Sequence, residues 1–446
     1  MQVILHRGIN HIGGCITEVQ STSGARIFID LGHLLPEGDK PADDKLANRQ
    51  AIEELTRGVS AILYTHNHGD HVELFDMVPD IIPQYIGPLA AELMQLKLSR
   101  LSSLKEQHDA CVEKIGKLSG FRHFKENESF RIADFTITPY YVSHSATDSY
   151  MLKVQCDGKT LLHTGDFREH GYLGKGLRPV LDRFNIAQNV DVLVIEGTNV
   201  GQFNKPVKSE WDIRKAFEKI IASRKNVFIF CSSMDADRLE SIYSANYRKL
   251  RPWKTLVCDK YQEKVMLTIE EATRGKGPLY KFRDYPIYTL EYDLDRNKGL
   301  IERMESKGFT MLIRKSDTYS RWLERILPFC KKEETSFVYS MYRGYVEEGM
   351  GGFSKETFDF IQPLVDKSTP VLDPNSKYDY NHTSGHASMQ SLKEICEIIA
   401  PKTAIIPIHK SPEADYHSLG LPKELDQKIV EEDTRIDDIN ITINRN

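Results

Sequence analysis

The sequence lacks the features of a membrane or secreted protein. None of its apolar stretches approaches the length needed to span a bilayer. The start, MQVILHRGIN, has no basic region, apolar core or small-residue cleavage site of a signal peptide. Seven cysteines are scattered without paired spacing and mostly lie in apolar runs, so buried free thiols are expected rather than disulfides or zinc ligands. These absences predict a protein of the reducing cytoplasm with no membrane segment.

Internal repeats and low-complexity segments are also lacking, but the charges are unevenly distributed. The formal net charge of -5 does not by itself suggest a nucleic-acid partner. Between Lys205 and Ser340, however, there are 28 basic and 20 acidic residues, whereas the rest of the chain has 31 basic and 44 acidic residues. The middle region therefore differs in sign from its flanks. It could contact a polyanion or only decorate solvated helices, and charge alone leaves both open.

The length of 446 residues exceeds what one hydrophobic core usually supports, so we expect two domains or one domain with a large insertion. Apolar runs of strand and helix length alternate, which predicts an α/β protein. Residues 89–119 carry apolar side chains at helical spacing and predict one long amphipathic helix, and the pair Asp157 and Gly158 predicts a hairpin turn. Beyond Gly201 a β-α-β rhythm indicates a separate α/β unit.

The stretch YTHNHGDHVELF, residues 64–75, places three histidines and an aspartate within six positions, directly after an apolar run. Side chains at the end of a strand can project together into one pocket. A pair of metal ions roughly 3.5 to 4 Å apart needs six or seven ligands, so more must come from elsewhere. Single histidines or aspartates follow three later apolar runs. The candidate metal ligands are His66, His68, Asp70, His71, His144, Asp166 and His409.

Six motifs occur along the chain in this order: THNHGDH, SHSATDS, TGDFR, VIEGTN, TSGHAS and PIHK. Together they resemble the metallo-β-lactamase superfamily and, within it, the β-CASP nuclease branch, with the ribonuclease J pattern the most similar. The resemblance implies an α/β fold in which a metallo-β-lactamase αββα sandwich is interrupted by an α/β β-CASP domain. It places the first part of the metallo-β-lactamase domain at residues 1–204, the β-CASP domain at 205–373 and the C-terminal part at 374–446.

The resemblance also implies two zinc ions per chain, with Mn²⁺ as an alternative. It assigns one ion to His66, His68 and His144, the other to Asp70, His71 and His409, and a bridging position to Asp166. By the same resemblance, Glu196 holds a ligand histidine, His386 faces the scissile phosphate or the leaving group, and Asp30 is a buried support. The implied catalytic residues are thus Asp70, Glu196 and His386.

Two zinc ions suit phosphodiester hydrolysis, because they lower the pKa of a shared water and neutralise charge on phosphoryl oxygens. The departing oxygen must also be protonated, and a histidine with an ordinary pKa of about 6.5 can do this, so His386 is the candidate acid. Serines in loops beside helices could bind the phosphate, although plain helix capping would also account for them. The candidate phosphate-binding residues are Ser233, Ser340, Ser384 and Ser388.

The chain departs from the ribonuclease J pattern in three places. Glu196 is followed by Gly-Thr rather than Ser-Thr, and His409 by Lys-Ser rather than Gly-Glu. The sequence also ends soon after the last motif, without the further C-terminal domain that assists dimerisation in many ribonuclease J proteins. The substrate channel is therefore expected to differ, and both a monomer and a homodimer remain open.

These features favour a zinc-dependent nuclease, a two-metal phosphodiester hydrolase that acts on RNA, with single-stranded RNA as the expected partner. A single-stranded DNA nuclease of the same branch is the first alternative. A small-molecule hydrolase of esters or lactones could use the same metal site, but the basic middle region disfavours it. An inactive binding subunit is the third alternative, and the complete set of expected ligands disfavours that one.

Overall fold

A computed structural model describes residues 1–201, 207–247, 253–275, 279–436 and 438–444. By its internal contacts the chain divides into two compact units. The first unit consists of Met1–Leu35, Ala42–Val207 and Gly385–Asn446, and the second of Pro36–Pro41 and Lys208–Ser384. The predicted domain boundary at residues 204 and 205 lies outside the described residues.

The N-terminal part of the first unit alternates strands with helices. Its strands are β1 (Gln2–Arg7), β2 (Ile16–Gln20), β3 (Arg26–Ile29), β4 (Ala61–Leu63), β5 (Gln84–Ile86), β6 (Arg122–His123), β7 (Phe130–Ile132), β8 (Phe135–Val142), β9 (Ser149–Cys156), β10 (Lys159–His163) and β11 (Val192–Glu196). Its helices are α1 (Arg49–Leu55), α2 (Gly69–Val72), α3 (Pro88–Leu101), α4 (His108–Leu118) and α5 (Leu177–Arg183).

The chain then forms the second unit and returns to the first. The strands of the second unit are β12 (Asn226–Cys231), β13 (Thr255–Asp259), β14 (Ile287–Leu290), β15 (Phe309–Ile313), β16 (Thr335–Ser340) and β17 (Asp379–Tyr380). Its helices are α6 (Glu210–Ser223), α7 (Ala236–Tyr247), α8 (Lys260–Thr273), α9 (Lys298–Lys307), α10 (Asp317–Ile326) and α11 (Lys355–Asp366). The returning segment adds α12 (Met389–Ile399), β18 (Ala404–Ile408), α13 (Lys423–Asp426), β19 (Thr434–Ile436) and β20 (Ile439–Ile443). Within the part of the chain described, no helix is long and apolar enough to cross a membrane.

Two sheets form the centre of the first unit. One has the strand order β19-β20-β1-β2-β3-β4-β5-β6 and the other β18-β11-β10-β9-β8-β7. Successive side chains of a strand point to opposite faces, so in β4 Ala61 and Leu63 pack between the sheets while Ile62 packs outward against helices. The inner cluster joins apolar residues of both sheets, such as Leu63 and Leu152. Helices α1, α3 and α4 cover the outer face of one sheet, and α5 and α12 cover that of the other. The implied αββα sandwich is confirmed.

Two local predictions in the first unit had different outcomes. The hairpin at Asp157 and Gly158 is confirmed, because both residues have the positive φ of a tight turn and join β9 to β10. The single helix over 89–119 was wrong, since the structure has α3 and α4 instead. At the break, the hydroxyls of Ser102 and Ser103 donate to the carbonyls of Ser99 and Arg100, which competes with the continued helix.

The second unit is built on a parallel sheet with the strand order β14-β13-β15-β12-β16-β17. Its central strand β12 is buried along its whole length, as the apolar run VFIFC after Asn226 requires of a strand covered on both faces. Helix α6 begins at a capping box, in which Ser209 and Asp212 bond to each other's backbone N–H groups. The β-α-β unit predicted beyond Gly201 is present, because β12, α7 and β13 follow one another along the chain.

The segment from residue 374 to Ser384 groups with the second unit, although the sequence placed 374–446 in the metallo-β-lactamase domain. The reason is β17, which pairs in parallel with β16. The carboxylate of Asp379 in β17 also accepts the backbone N–H groups of Val371 and Leu372 at 2.9 and 2.6 Å. A strand of two residues gives no periodic pattern, so the sequence could not reveal this pairing.

Candidate metal centre

The predicted metal ligands follow the carboxyl ends of strands in the first unit. His66 and His68 lie in the loop after β4, and Asp70 and His71 lie in the short helix α2 that comes next. His144 follows β8, Asp166 follows β10, and His409 directly follows β18. The two sheets thus deliver ligands from segments that are far apart in the sequence.

The short helix α2 is fixed by backbone contacts. Leu31 donates its N–H to the carbonyl of His71 at 2.8 Å, and Cys15 donates to that of Asp70 at 3.0 Å. A side chain at Gly32 would overlap the backbone of Asp70, so glycine is needed for this close approach. The backbone that carries Asp70 and His71 is therefore held in place independently of any bound ion.

Asp166 lies at the centre of the cluster and is buried, as are His66, His71, His144 and His409. Its Oδ2 is 3.2 Å from Nε2 of His71, 3.7 Å from that of His409, 3.8 Å from that of His66 and 3.9 Å from that of His144. At the edge of the cluster, Asp70 Oδ2 is 3.1 Å from His409 Nε2, and His68 Nδ1 is 3.2 Å from His144 Nε2. All seven predicted ligands are thus brought together.

The cluster contains buried polar atoms whose hydrogen-bonding capacity is not used. Nε2 of His66, Nε2 of His71 and both carboxylate oxygens of Asp166 have no hydrogen bond of acceptable geometry to any residue that the structure describes. Leaving such atoms unsatisfied costs free energy, so a group that accepts their lone pairs is needed. Imidazole nitrogens and a shared carboxylate are ligands that zinc prefers. The residues therefore fit one or more divalent cations.

Asp30 is buried and contacts the side of His71 that faces away from Asp166, which fits the supporting position that the resemblance implied. Its Oδ2 accepts from Nδ1 of His71 at 2.7 Å, and its Oδ1 accepts the backbone N–H of Thr65 at 2.7 Å. Because Nδ1 of His71 donates to this carboxylate, Nε2 is the nitrogen left to bind a metal ion. Asp30 has a φ of 62°, a left-handed backbone conformation that is uncommon outside glycine.

Burial and charge set the protonation of the cluster. Burial lowers the pKa of His66, His68 and His144 below the ordinary value, to about 4 for His68. Burial also disfavours an ionised Asp166, but His409 and His71 outweigh it and hold the pKa of that carboxyl well below its usual range. Burial also acts to lower the pKa of His71, but Asp166 and Asp30 outweigh it and raise that pKa well above the ordinary value. Metal binding requires the neutral imidazoles and the ionised carboxylate, so it would displace the proton of His71.

His386 lies beside the cluster and is held by Glu196. Its Nδ1 is 3.0 Å from Glu196 Oε2, and Glu196 Oε1 accepts the backbone N–H groups of Phe167 at 2.8 Å and Ala387 at 3.2 Å. The histidine that Glu196 contacts is thus the candidate acid His386, and the expectation that Glu196 holds a ligand histidine stays a prediction. Burial lowers the pKa of His386, but Glu196 and Asp166 outweigh burial and raise it to about 9. His386 is also 3.6 Å from Asp166 Oδ2, so it could ligate a metal as well.

Comparison with known protein families agrees with this geometry. Residues 40–221 match the beta-lactamase superfamily domain, and residues 375–418 match the Zn-dependent metallo-hydrolase RNA specificity domain. Over these two stretches the chain is similar to metallo-β-lactamase proteins. The resemblance inferred from the six sequence motifs is confirmed.

Several similar proteins carry the name ribonuclease J. The one from Helicobacter pylori is 23% identical over 413 residues, and the one from Thermus thermophilus is 25% identical over 426 residues, each match covering 90% of this chain. The one from Mycobacterium tuberculosis is 26% identical over 244 residues, or 53% of this chain. These matches span 55%, 67% and 41% of the three relatives, so the chain covers about half the length of most of them.

A solved structure has the same fold. It is the crystal structure of a protein of unknown function from Enterococcus faecalis V583, with a TM-score of 0.64 over 92% of this chain and 94% of that chain. The sequence identity is 17%, so this likeness shows the fold alone and carries no argument about activity.

The four candidate phosphate-binding serines differ in how their hydroxyls are used. Ser340 is buried; its hydroxyl donates to the carbonyl of Asn381 and accepts from the guanidinium of Arg238 at 2.6 Å, so it is used within the protein rather than offered to a phosphate. Ser388 caps α12 by accepting the N–H of Ser391 at 3.1 Å, which is the capping alternative. Ser233 and Ser384 are partly buried in the second unit, and their role stays a prediction.

Two residues without a predicted role enter the site. The thiol of Cys15 lies with His71 and His409 in a group whose ligand atoms are within 4.8 Å of one another, and burial raises its pKa well above the ordinary value. Cys15 is a buried free thiol, as the sequence predicted. Thr198 contacts both His386 and His409. Its position in the motif VIEGTN, two residues after Glu196, is the only sequence signal for it.

Proposed function

We propose that this chain is a zinc-dependent nuclease that hydrolyses phosphodiester bonds in RNA. The observation that carries the proposal is the buried cluster around Asp166, with its unsatisfied imidazole nitrogens and carboxylate oxygens. Support for RNA comes from the match of residues 375–418 to the RNA specificity domain and from the name of the relatives that match 90% of the chain. Similarity to the superfamily alone would also fit hydrolysis of other substrates.

Two cations per chain account for the arrangement of the ligands. His66, His68 and His144 form one group of nitrogens, whereas Asp70 and His409 approach each other on the side of His71. Asp166 is close enough to both sets to be shared. When bound, such a pair of ions activates water for attack and neutralises charge on the phosphoryl oxygens.

His386 is positioned to supply the proton that the leaving oxygen needs. Its Nδ1 is engaged by Glu196, which fixes the orientation of the ring and assigns proton transfer to Nε2. The backbone N–H of Ala387 also binds Glu196, so the carboxylate is anchored on both sides of the histidine. With 19% of its side chain exposed, His386 is more accessible than the fully buried ligands and could be reached by a substrate.

The purified protein should contain about two zinc ions per chain when it is prepared without chelator, because the ligand set fits a pair of ions. Elemental analysis measures this directly. His68→Ala should lower the content, whereas His417→Ala should not, because His417 is half exposed and paired with Asp426. A wild-type protein with no bound transition metal would refute the proposed centre.

The substrate class is tested with end-labelled RNA and DNA strands of the same sequence. RNA should be cleaved with metal and remain intact after the metal is removed. Preferential cleavage of DNA would instead establish the alternative nuclease, and cleavage of an ester or lactone without cleavage of either strand would establish a small-molecule hydrolase. The sequence of the strands should be varied once, so that a base preference is not mistaken for a sugar preference.

A binding measurement with the His68→Ala variant separates the same alternatives without cleavage. Phosphate contacts release counterions, so affinity for a short single strand should fall with salt at a log–log slope of about -0.7 per contacted phosphate. Neutral small substrates would give almost no slope. The excess of basic residues between Lys205 and Ser340 motivates this expectation. A flat response for both strands would contradict the nuclease proposal even if zinc were present.

A further inference from the structure

Thr198 is placed between two histidines of the metal centre. Its Oγ1 is 2.6 Å from Nδ1 of His409 and 3.2 Å from Nδ1 of His386. The same hydroxyl donates to the backbone carbonyl of His409 at 3.1 Å. One hydroxyl group thus contacts the ring and the backbone of a predicted metal ligand and the ring of the candidate acid.

The register of two parallel strands explains this placement. Glu196 at the end of β11 pairs with Ile408 at the end of β18, so the residues that follow, Thr198 and His409, leave the sheet side by side. Gly197, which separates Glu196 from Thr198 in the sequence, has no side chain. A Cβ at this position would lie 3.0 Å from Cβ of Lys410, closer than side chains usually pack. The Gly-Thr pair therefore lets the two loops approach closely enough for the hydroxyl contact.

His409 needs support because its backbone is strained. Its φ is 53°, in the left-handed region that a residue with a side chain rarely adopts and that costs on the order of 1–3 kcal/mol. Its N–H donates to the carbonyl of Gly8 at 2.5 Å, and its carbonyl accepts from Thr198. The residue is thus held from both sides in a conformation that it would otherwise leave.

The hydrogen-bonding capacities of these groups define the tautomer of His409. A carbonyl can only accept, so the single proton of the Thr198 hydroxyl is used on the carbonyl of His409. The Oγ1 lone pairs then accept from Nδ1–H of His409, so in the neutral imidazole, the form that binds a metal, Nε2 has no proton. That nitrogen is 3.1 Å from Asp70 Oδ2 and faces the ligand cluster. An imidazole ligates a metal through such an unprotonated nitrogen.

We propose that Thr198 is a positioning residue for metal binding: its hydroxyl fixes the Nδ1-protonated tautomer and the strained backbone of His409, so that Nε2 points at the cation. The inference rests on the proposed metal role of His409. A second lone pair of the same oxygen faces His386, whose Nδ1 is engaged by Glu196 at 3.0 Å. Thr198 therefore also fixes the spacing between the ligand and the acid.

The test compares Thr198→Val, which removes the hydroxyl and keeps the shape, with Thr198→Ser, which keeps the hydroxyl. Zinc affinity is measured by competition with a chromogenic chelator. Loss of a group that orients a ligand typically weakens metal affinity about 10- to 100-fold, so this is expected for Thr198→Val. Thr198→Ser should stay within about threefold of the wild type, because the hydroxyl contact is retained.

Thr17→Val is the matched control, because the hydroxyl of Thr17 lies 3.5 Å from His163, a buried histidine outside the ligand cluster. Its zinc affinity should equal that of the wild type, and the melting temperatures of the metal-stripped proteins check that each variant folds. If Thr198→Val does not fold, Thr198→Ala replaces it in the same measurement. Equal affinities of the hydroxyl-free variant and the wild type would overturn the inference, and so would an equal loss in Thr198→Ser. A wild type that binds no zinc would instead overturn the metal centre itself.

Discussion

Replacing Asp166 by Asn is expected to remove bound metal and lower the rate of RNA cleavage about 10⁴-fold or more. The carboxylate is buried among imidazoles, with Oδ2 3.2 Å from Nε2 of His71 and 3.7 Å from Nε2 of His409. Asparagine has almost the same shape but only one oxygen and no charge, so it cannot neutralise two cations or bridge them. Elemental analysis and single-turnover cleavage of end-labelled RNA measure the two effects.

Asp191→Asn is the control for this substitution. Asp191 is also a buried carboxylate, and it precedes β11 at the end of that strand opposite to Glu196. Its Oδ2 accepts the N–H of Thr160 at 2.8 Å, a bond that an amide oxygen can keep. Metal content and rate should therefore remain near those of the wild type. If Asp166→Asn retained both ions and its activity, Asp166 would not be a shared metal ligand.

Replacing His386 by Ala is expected to lower turnover about 10²- to 10⁴-fold while the metal content stays unchanged, which is the usual contribution of a general acid. The ring is held by Glu196 through Nδ1 and can donate from Nε2. A phosphodiester with a nitrophenolate leaving group needs no protonation of the departing oxygen. On that substrate the variant should recover most of its rate, and comparing the two substrates measures the role of the proton.

Two further variants test whether the loss of turnover in His386→Ala is due to its role as the acid. Glu196→Gln should lower turnover of RNA less than His386→Ala does, because the amide keeps a contact with the ring but loses the charge that orients its proton. His417→Ala, at an exposed histidine paired with Asp426, should have no effect. Loss of zinc in His386→Ala would make His386 a ligand, in agreement with its 3.6 Å distance from Asp166 Oδ2. Equal losses on both substrates would also exclude the role of acid.

The ligand cluster could be predicted from the sequence because its metal-binding side chains lie in one short stretch or shortly after apolar runs. Four of the candidate ligands lie within YTHNHGDHVELF, and each of the others closely follows an apolar run that became β8, β10 or β18. Apolar runs in this chain are strands buried on both faces, so the residues after them must emerge at a sheet edge. The hydrophobic pattern and the ligand pattern thus indicated the same strand ends.

Contacts between distant segments could not be predicted in the same way. The partner of Glu196 is 190 positions away in the sequence, and the contact depends on how the loop before α12 approaches the end of β11. The burial of Ser340 depends on Arg238 and Asn381, neither of which belongs to a motif. The break between α3 and α4 lies at two serines whose hydroxyls bond to carbonyls three residues earlier, and the apolar spacing of the sequence does not reveal these contacts.

The order of segments in the first unit determines when the centre can be completed. Six of the seven candidate ligands precede residue 201, whereas His409 and the candidate acid His386 follow the whole of the second unit. A ribosome, which makes the chain from its N-terminus, therefore produces the second unit before the last ligand. A chain that has been made only as far as the second unit has neither β18 nor His409. It therefore lacks one of the seven candidate ligands and the candidate acid of the proposed nuclease centre.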